Sequence, residues 1–270
     1  MRQQSSLARL LGSAAVTAIL AASAAGCQTM ADITGSITSK AEPAAGSDAD
    51  PRHAAEVYGE RYRADPKNPE TALAYGQALR ATGQRSQAVA VFEQATIAHP
   101  SNKSLLAGFG RALADNGHFQ QAFDVLSRAH SPDNPDWRIL SVQGTALDQL
   151  GRHDEARRYY ASALKISPEE PSVLSNLGLS YVLSKDLPKA EETLRRAYAS
   201  GKADARVRQN LGLVIGLQGR FAEAETIVKA DLPADEAAAN VTYLKEMLSR
   251  KTSSRGGSAS IPVAALNRPD

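Results

Sequence analysis

The chain has 270 residues but only one cysteine, and aromatic residues make up only 5% of it. A single cysteine excludes an internal disulfide, so no covalent framework holds the fold together. Hydrophobic residues amount to 43%, which is enough to build a core. Because that core must consist largely of alanine, leucine and glycine, closely packed helices are favoured over a β-sandwich.

An excess of charge of one sign is also missing. The formal net charge is +2, and residues 1–26 contain two arginines and no acidic residue. Without that segment, 29 basic residues face 29 acidic ones. Nucleic-acid binding needs a basic patch that neutralises several phosphates, and the sequence has no such cluster. We therefore expect no nucleic-acid partner.

Catalytic and metal-binding motifs are not evident either. The segment "GFGRAL", residues 108–113, begins like a dinucleotide fingerprint but lacks the third glycine and a preceding strand. The histidines form neither an HxH nor an HExxH motif and are scattered through the chain: His53, His99, His118, His130 and His153. We expect no enzyme, no metal or other cofactor, and no small-molecule substrate.

The N-terminus has the three-part pattern of a secretory signal peptide, which we assign to residues 1–26. Arg2 and Arg9 precede an apolar stretch from Leu10 to Ala25. Sixteen weakly apolar residues are too few to span a bilayer. A charged start, a short apolar centre and a small-residue end are typical of a cleaved signal.

The single cysteine, Cys27, ends the sequence "AAGC", which resembles a bacterial lipobox. This resemblance implies that Cys27 carries covalent lipid, palmitate included, after cleavage. Ala24 departs from the Leu or Val that the pattern prefers, and an incidental cysteine near an ordinary cleavage site is the alternative. Gln28 in place of Asp implies sorting to the outer membrane, with the protein lipid-anchored and facing the periplasm.

Two segments have the composition of chains that do not fold alone. Residues 27–50 are rich in Ala, Ser, Thr, Gly and Asp without sustained periodicity, which indicates a flexible tether. The last twenty residues, 251–270, have a similar character, and we interpret them as a disordered tail.

The most specific feature is a repeat with a period of 34 residues. It places a glycine at each of five positions: Gly76, Gly110, Gly144, Gly178 and Gly212. An alanine follows twelve residues later: Ala88, Ala122, Ala156, Ala190 and Ala224. A bulky apolar residue lies four positions further on: Phe92, Leu126, Tyr160, Leu194 and Val228. A second glycine comes seven residues after the first, except that the fourth unit has Lys185: Gly83, Gly117, Gly151 and Gly219.

This pattern resembles the tetratricopeptide repeat over residues 51–238. The resemblance implies an all-α fold, a right-handed α-solenoid of about five helical hairpins near 69–102, 103–136, 137–170, 171–204 and 205–238. The first glycine is expected to pack against the alanine of its partner helix, and the second to adopt a positive φ in the turn. Ala54, Tyr58 and Pro66 indicate an N-terminal capping helix, and apolar spacing predicts a C-terminal cap over 234–250.

In tetratricopeptide domains the first helices line a groove that holds peptide segments. Carried over by register, the predicted groove residues are Gln77, Arg80, Arg111, Thr145, Asp148, Asn176, Leu179, Val182, Gln209, Asn210 and Leu213. The two asparagines precede the repeat glycine in "NLGL" and either hydrogen-bond a bound backbone or serve helix packing. The C-terminal half of the groove is predicted to be apolar and the N-terminal half more polar. No pair of lysines that would clamp a terminal carboxylate is evident.

The C-terminal sequence "RVRQNLGLVIGLQGRFAEAE", followed by "ADLPADEAAANVTYLKEML", is similar to lipoproteins of the tight-adherence (Tad/Flp) pilus assembly system. This resemblance implies a scaffold whose partners are proteins of the pilus secretion machinery, with the outer-membrane secretin among them. A general scaffold for envelope assembly is one alternative. A regulatory subunit of a peptidoglycan or protease enzyme is another.

Overall fold

The computed structural model describes residues 50–131 and 133–256, and these ranges form twelve α-helices. The helices are α1 Pro51–Ala64, α2 Pro69–Ala81, α3 Arg85–Ala98, α4 Lys103–Asp115, α5 Phe119–Ala129, α6 Trp137–Gln149, α7 His153–Ile166, α8 Pro171–Leu183, α9 Leu187–Ala199, α10 Ala205–Leu217, α11 Phe221–Val228 and α12 Ala234–Gly256. None of these helices is long and apolar enough to cross a membrane. The only β-structure in the described ranges is an isolated bridge between Ser131 and Asn134.

Helices α2 to α11 form five successive hairpins, and α1 and α12 flank them, which confirms the predicted all-α solenoid. The first helix of every hairpin follows a polar N-cap whose side chain accepts a hydrogen bond from a backbone N–H of the first turn. These caps recur at intervals of 34 residues: Asn68, Asn102, Asp136, Glu170 and Asp204. Because each cap satisfies orphan donors of its own helix, every hairpin begins at a point set by its own sequence.

The turn inside each hairpin has the same backbone geometry. Gly83 has φ +75°, and the N–H of Gln84 donates to the carbonyl of Leu79 at 2.8 Å. This is the Schellman arrangement, which needs a left-handed residue at its centre. The expected positive φ is confirmed at Gly83 and at its three counterparts: Gly117, Gly151 and Gly219. The fourth turn adopts the same geometry with Lys185, at φ +63°.

The repeat glycines pack differently from the expectation. A Cβ built on Gly76 would lie 2.5 Å from the ring of Phe92, and one built on Gly108 would lie 2.4 Å from the other edge of that ring. A Cβ on each first glycine would meet the bulky residue of the partner helix first, and at Gly212 it would also lie 3.4 Å from the carbonyl oxygen of Ala224. The bulky residue is thus the main neighbour of the first glycine, a contact that the expected glycine–alanine packing did not include. A ring or branched side chain fills the space because the missing Cβ leaves room for it.

Five buried clusters follow one another along the array, which is how a solenoid builds its core. The repeat alanines lie within it at 0–1% exposure: Ala88, Ala122, Ala156, Ala190 and Ala224. The first helices of successive hairpins also contact one another, α2 with α4, α4 with α6, α6 with α8 and α8 with α10. They therefore form one continuous layer. The groove predicted from the sequence lies on this first-helix layer.

The C-terminal end departs from the regular unit. Helix α11 has only eight residues, and α12 packs against α10 and α11. Leu244 of α12 fills the space beside Gly216, where a Cβ would lie 2.5 Å from its Cδ2. Helix α12 runs from Ala234 at least to Gly256, the last residue that the structure describes, so the cap predicted near 234–250 begins where expected and extends further. No glycine or proline occurs in α12 before Gly256, and nothing in the sequence stops the helix earlier.

Several predicted segments lie outside the described residues. They are the signal peptide, Cys27, the tether up to residue 49 and the tail from residue 257.

Candidate protein-binding groove

A cavity of about 490 Å³ opens between the first helices α2, α4 and α6. Two of the predicted groove residues, Gln77 and Arg111, lie in its wall. Gln77 is exposed and Arg111 is half-buried. The structure thus brings together Gln77 of the first hairpin and Arg111 of the second at a concave, polar site.

Arg80, also predicted for the groove, is engaged within the first-helix layer. Its Nε donates to Oδ2 of Asp115 at 2.6 Å, and the two side chains are 14% and 22% exposed. The pair joins α2 to α4. Arg80 therefore acts as a tie between two first helices, and its guanidinium is already partnered.

Asp148 is the predicted groove residue that the structure places elsewhere. It is buried, and Ser180 Oγ donates to its Oδ1 at 2.8 Å while the Tyr160 hydroxyl donates to its Oδ2 at 2.9 Å. Nδ1 of His153 lies 2.9 Å from Oδ1. The carboxylate links α6, α7 and α8 from inside the layers, so it does not face a ligand. Thr145, half-buried beside it, donates to the carbonyl of Ser141 at 3.2 Å.

Burial dominates the electrostatics of this network. It raises the pKa of Asp148, although hydrogen bonds from His153, Ser180 and Tyr160 oppose the increase. Burial also raises the pKa of Tyr160 well above its usual value, with the nearby Asp148 charge acting in the same direction. The buried carboxylate of Asp148 has three hydrogen-bond partners, so its role is to hold the hairpin junction together.

The two groove asparagines hydrogen-bond to the preceding hairpin. Nδ2 of Asn176 donates to Ser141 Oγ at 3.1 Å, and Nδ2 of Asn210 donates to Ser175 Oγ at 2.9 Å. Both contacts join successive first helices, α6 to α8 and α8 to α10. The side-chain N–H groups are thus used in packing, which is one of the two roles considered from the sequence.

The C-terminal half of the first-helix layer carries the predicted apolar residues. Leu179 and Leu213 are half-buried and belong to none of the buried clusters or the shells packed against them. Val182 is half-buried and packs against the cluster around Leu194, while Gln209 is exposed. The two leucines therefore lie outside the core of the array and keep part of their surface exposed.

Most residues that line the cavity were not predicted from the sequence, among them Lys103, His130, Trp137 and Arg138. Lys103, Trp137 and Arg138 lie at the starts of α4 and α6, which the register rule did not include among groove positions. Trp137 is the only tryptophan of the chain, and Arg138 lies over its ring at 4.5 Å from the centroid. A rare aromatic residue beside an arginine is a signal that could have drawn attention to this point.

Helical hairpins repeated at 34 residues, a shared turn and a layer of first helices define a tetratricopeptide-repeat solenoid, a scaffold of the kind that mediates protein–protein interaction. The tetratricopeptide-repeat family pattern matches residues 141–205. A second pattern, anaphase-promoting complex (cyclosome) subunit 3, matches residues 52–129.

Known proteins are similar to parts of this chain in sequence or in fold. A cytochrome c-type biogenesis protein of Bradyrhizobium diazoefficiens is 33% identical over 113 residues, which are 39% of this chain and 31% of that protein. This chain therefore matches about a third of that relative's length. The crystal structure of PilW, a widely conserved type IV pilus biogenesis factor, aligns over 72% of this chain and 91% of its own with a TM-score of 0.62 at 18% identity. A thermophilic tetratricopeptide protein of Thermus thermophilus aligns over 66% and 98% with a TM-score of 0.58 at 21% identity.

Proposed function

We propose that this protein is a binding scaffold of the bacterial envelope that assists assembly of the Flp/Tad pilus. It acts by holding a segment of the pilus secretion machinery, and the outer-membrane secretin is the first candidate partner. The observation that carries the proposal is the first-helix layer, which offers a polar cavity at α2, α4 and α6 and exposed parts of Leu179 and Leu213 further along. The similarity of the C-terminal sequence to tight-adherence lipoproteins supports the choice of pathway.

The groove suits a partner segment that is polar at one end and apolar at the other. Half-buried leucines contribute to binding because a partner side chain removes the rest of their surface from water, at about 25 cal/mol per Å². The cavity contributes specificity, because buried polar groups reject partners that leave them unpaired. Holding a segment in this way requires no turnover.

The proposal includes an anchor at Cys27. A lipidated cysteine would place the scaffold at the periplasmic face of the outer membrane, where a secretin assembles. Each buried methylene contributes about 0.8 kcal/mol, and stable attachment needs about two acyl chains. Residues 28–49 would then serve as the tether between the membrane and the solenoid.

A second candidate function is assistance in c-type cytochrome biogenesis. It is favoured by the 33% identity to the Bradyrhizobium biogenesis protein, which covers 113 residues. A general envelope-assembly scaffold and a regulatory subunit of a peptidoglycan or protease enzyme remain alternatives. Each predicts a different partner in the same groove.

Deleting the gene and assaying pilus-dependent surface adherence, together with secretin multimers, separates these functions. The pilus proposal expects loss of adherence and fewer multimers, restored by the wild-type gene. Mild crosslinking followed by co-purification then identifies the partner held. Normal pili and multimers would exclude the proposal, and loss of c-type cytochromes or capture of a hydrolase would favour the corresponding alternative.

A further inference from the structure

One part of the groove carries a charge arrangement that differs from the rest of the solenoid. We call it the cationic pocket and define it by the ionisable and aromatic residues of the 490 Å³ cavity: Lys103, Arg111, His130, Asp136, Trp137 and Arg138. Three permanent cations face one carboxylate within it. Over the whole sequence the two signs nearly balance, so this excess of positive charge is local.

Arg111 is the centre of this pocket. It is half-buried, yet its guanidinium makes no hydrogen bond or salt bridge to any residue of the described ranges. Other half-buried arginines are paired, such as Arg80 with Asp115 and Arg208 with Asp231. Burial lowers the pKa of Arg111 and the neighbouring Arg80 lowers it further, while the charges of Asp136 and Asp115 oppose part of this decrease. Removing such a charge from water without a partner costs free energy, and an anion beside it would offset that cost.

The acidic groups nearest to Arg111 are already occupied. Asp136 accepts a hydrogen bond from the backbone N–H of Arg138 at 2.7 Å and caps α6. Asp115 accepts from Arg80. Arg138 itself stacks on Trp137 and forms no salt bridge within the described ranges. The pocket thus offers donors to an incoming anion, while Asp136 and the neighbouring Asp115 act on Arg111 through their charge without a hydrogen bond to it.

We propose that the cationic pocket binds the carboxylate of an Asp or Glu side chain in a protein segment that lies along the first-helix layer. Arg111 presents the planar fork of donors that fits a carboxylate, and Lys103 and Arg138 add positive charge at the rim. Trp137 forms an apolar wall for the methylenes of the acidic side chain. The inference rests on the proposed function, that of holding a partner segment, and adds the chemistry that selects the segment.

The only tryptophan of the chain lies in this pocket, so its fluorescence reports binding without a label. The full-length chain is titrated with pools of N-acetylated, C-terminally amidated nonapeptides that carry Glu or Gln at the centre and mixed residues elsewhere. The Glu pool should bind at least about tenfold more tightly than the Gln pool, because hydrogen bonds to a charged partner are the strong ones. Arg111→Gln should remove this preference, and Arg111→Glu should shift it to a pool with Lys at the centre.

Arg158→Gln is the matched control, because Arg158 is exposed and lies on α7 away from the pocket. Circular dichroism and thermal unfolding of Arg111→Gln should match or exceed those of the wild type, since an unpaired, partly buried charge has been removed. Equal binding of the Glu and Gln pools would overturn the inference. Tighter binding of inorganic phosphate, or binding only of peptides with a free C-terminal carboxylate, would also overturn it.

The two proposals can fail separately. If the Glu preference is missing while gene deletion still abolishes pili, the cationic pocket is misassigned and the scaffold function stands. If the preference is present while pili are normal after deletion, the pocket stands and the pathway is wrong.

Discussion

The hydroxyl of Tyr160 donates a 2.9 Å hydrogen bond to Oδ2 of Asp148, and both side chains are buried where α6, α7 and α8 meet. Ser180 Oγ donates to the other carboxylate oxygen at 2.8 Å. One acidic group thus joins two hairpins through three helices. Its charge makes the junction sensitive to pH.

Asp148→Asn should change how stability depends on pH. Burial raises the folded-state pKa of Asp148 above its unfolded value of about 3.9, so the folded state holds the proton more tightly. The contribution of Asp148 to stability is then complete below the unfolded pKa and is lost as the pH rises through the folded pKa. The variant lacks this titration, so it should gain stability relative to the wild type over that window.

Urea unfolding of both proteins in parallel from pH 3.5 to 7 measures the difference in the free energy of unfolding. The contributions of the other carboxylates are the same in both proteins and cancel in this difference. Asp148→Ala is the harsher change, because it leaves the Ser180 and Tyr160 donors without an acceptor at a cost of about 2–4 kcal/mol. A difference between wild type and Asp148→Asn that stays constant with pH would contradict the account.

Lys185→Gly should stabilise the protein by about 0.5–1 kcal/mol. Lys185 adopts φ +63° in a turn where the other four hairpins have glycine. A left-handed non-glycine residue costs about 1–3 kcal/mol, and the extra freedom of glycine in the unfolded chain offsets part of the gain. The midpoint of urea unfolding measures the effect. Gly151→Ala is the matched control and should change stability in the opposite direction, and a gain in both variants would refute the explanation.

Gly76→Ala should destabilise the first hairpin by about 1–3 kcal/mol through overpacking. The added Cβ would lie 2.5 Å from the ring of Phe92, and Gly108 confines the same ring on its other side. Combining Gly76→Ala with Phe92→Leu should recover part of the loss, because the smaller side chain can move away. Denaturant unfolding of the two single variants and the double variant gives the coupling, and strictly additive effects would show that the contact is not responsible.

Leu179→Asp combined with Leu213→Asp should weaken partner capture while helical content stays close to that of the wild type. Both leucines are half-buried and lie outside the buried clusters, so charges there can remain in contact with water. Crosslinked co-purification measures capture, and circular dichroism measures folding. The matched control is Leu174→Asp in α8, which should unfold the array because Leu174 is fully buried. Unfolding of the double variant would place the two leucines in the core.

Cys27→Ser should abolish labelling by radioactive or alkyne-tagged palmitate and should release the protein from membranes. The variant lacks the thiol that receives the lipid. Cleavage removes the apolar signal segment, so neither the lipid nor that segment would then hold the protein at the membrane. Labelling and membrane fractionation in the native bacterium measure both effects. Retained labelling in the variant would show that Cys27 is not the lipidated residue.

Much of the fold follows from the 34-residue spacing alone, because each hairpin is specified by local signals. The turn glycines and the repeat alanines identify where chains reverse and where helices approach closely. The bulky neighbour of each repeat glycine was not predicted, since sequence spacing does not show that the Phe92 ring reaches between α2 and α4. The described part of α12 extends past residue 250, because Lys251 and the residues after it include no proline and no glycine before Gly256.

The groove was harder to predict than the fold. Arg111 and Gln77 follow from the repeat register and do line a cavity. Asp148 follows from the same register but is buried, because Tyr160 and Ser180 offer it partners inside the layers. Trp137 and Arg138 were missed because their place in the cavity depends on how α6 begins beside α4. The repeat register predicts which way a side chain leaves the backbone. The hydrogen-bond partners close to that side chain decide whether it stays free to contact a ligand.

The evenly spaced N-caps have an evolutionary consequence. Because Asn68, Asn102 and their counterparts start each hairpin locally, duplication or loss of one 34-residue unit would leave the remaining junctions in register. The unit from 137 to 170 is the exception. It supplies Asp148 and Tyr160 to one junction and Trp137 and Arg138 to the cavity at the other. Lineages that lengthen or shorten this array can therefore be expected to vary the other units and to retain this one.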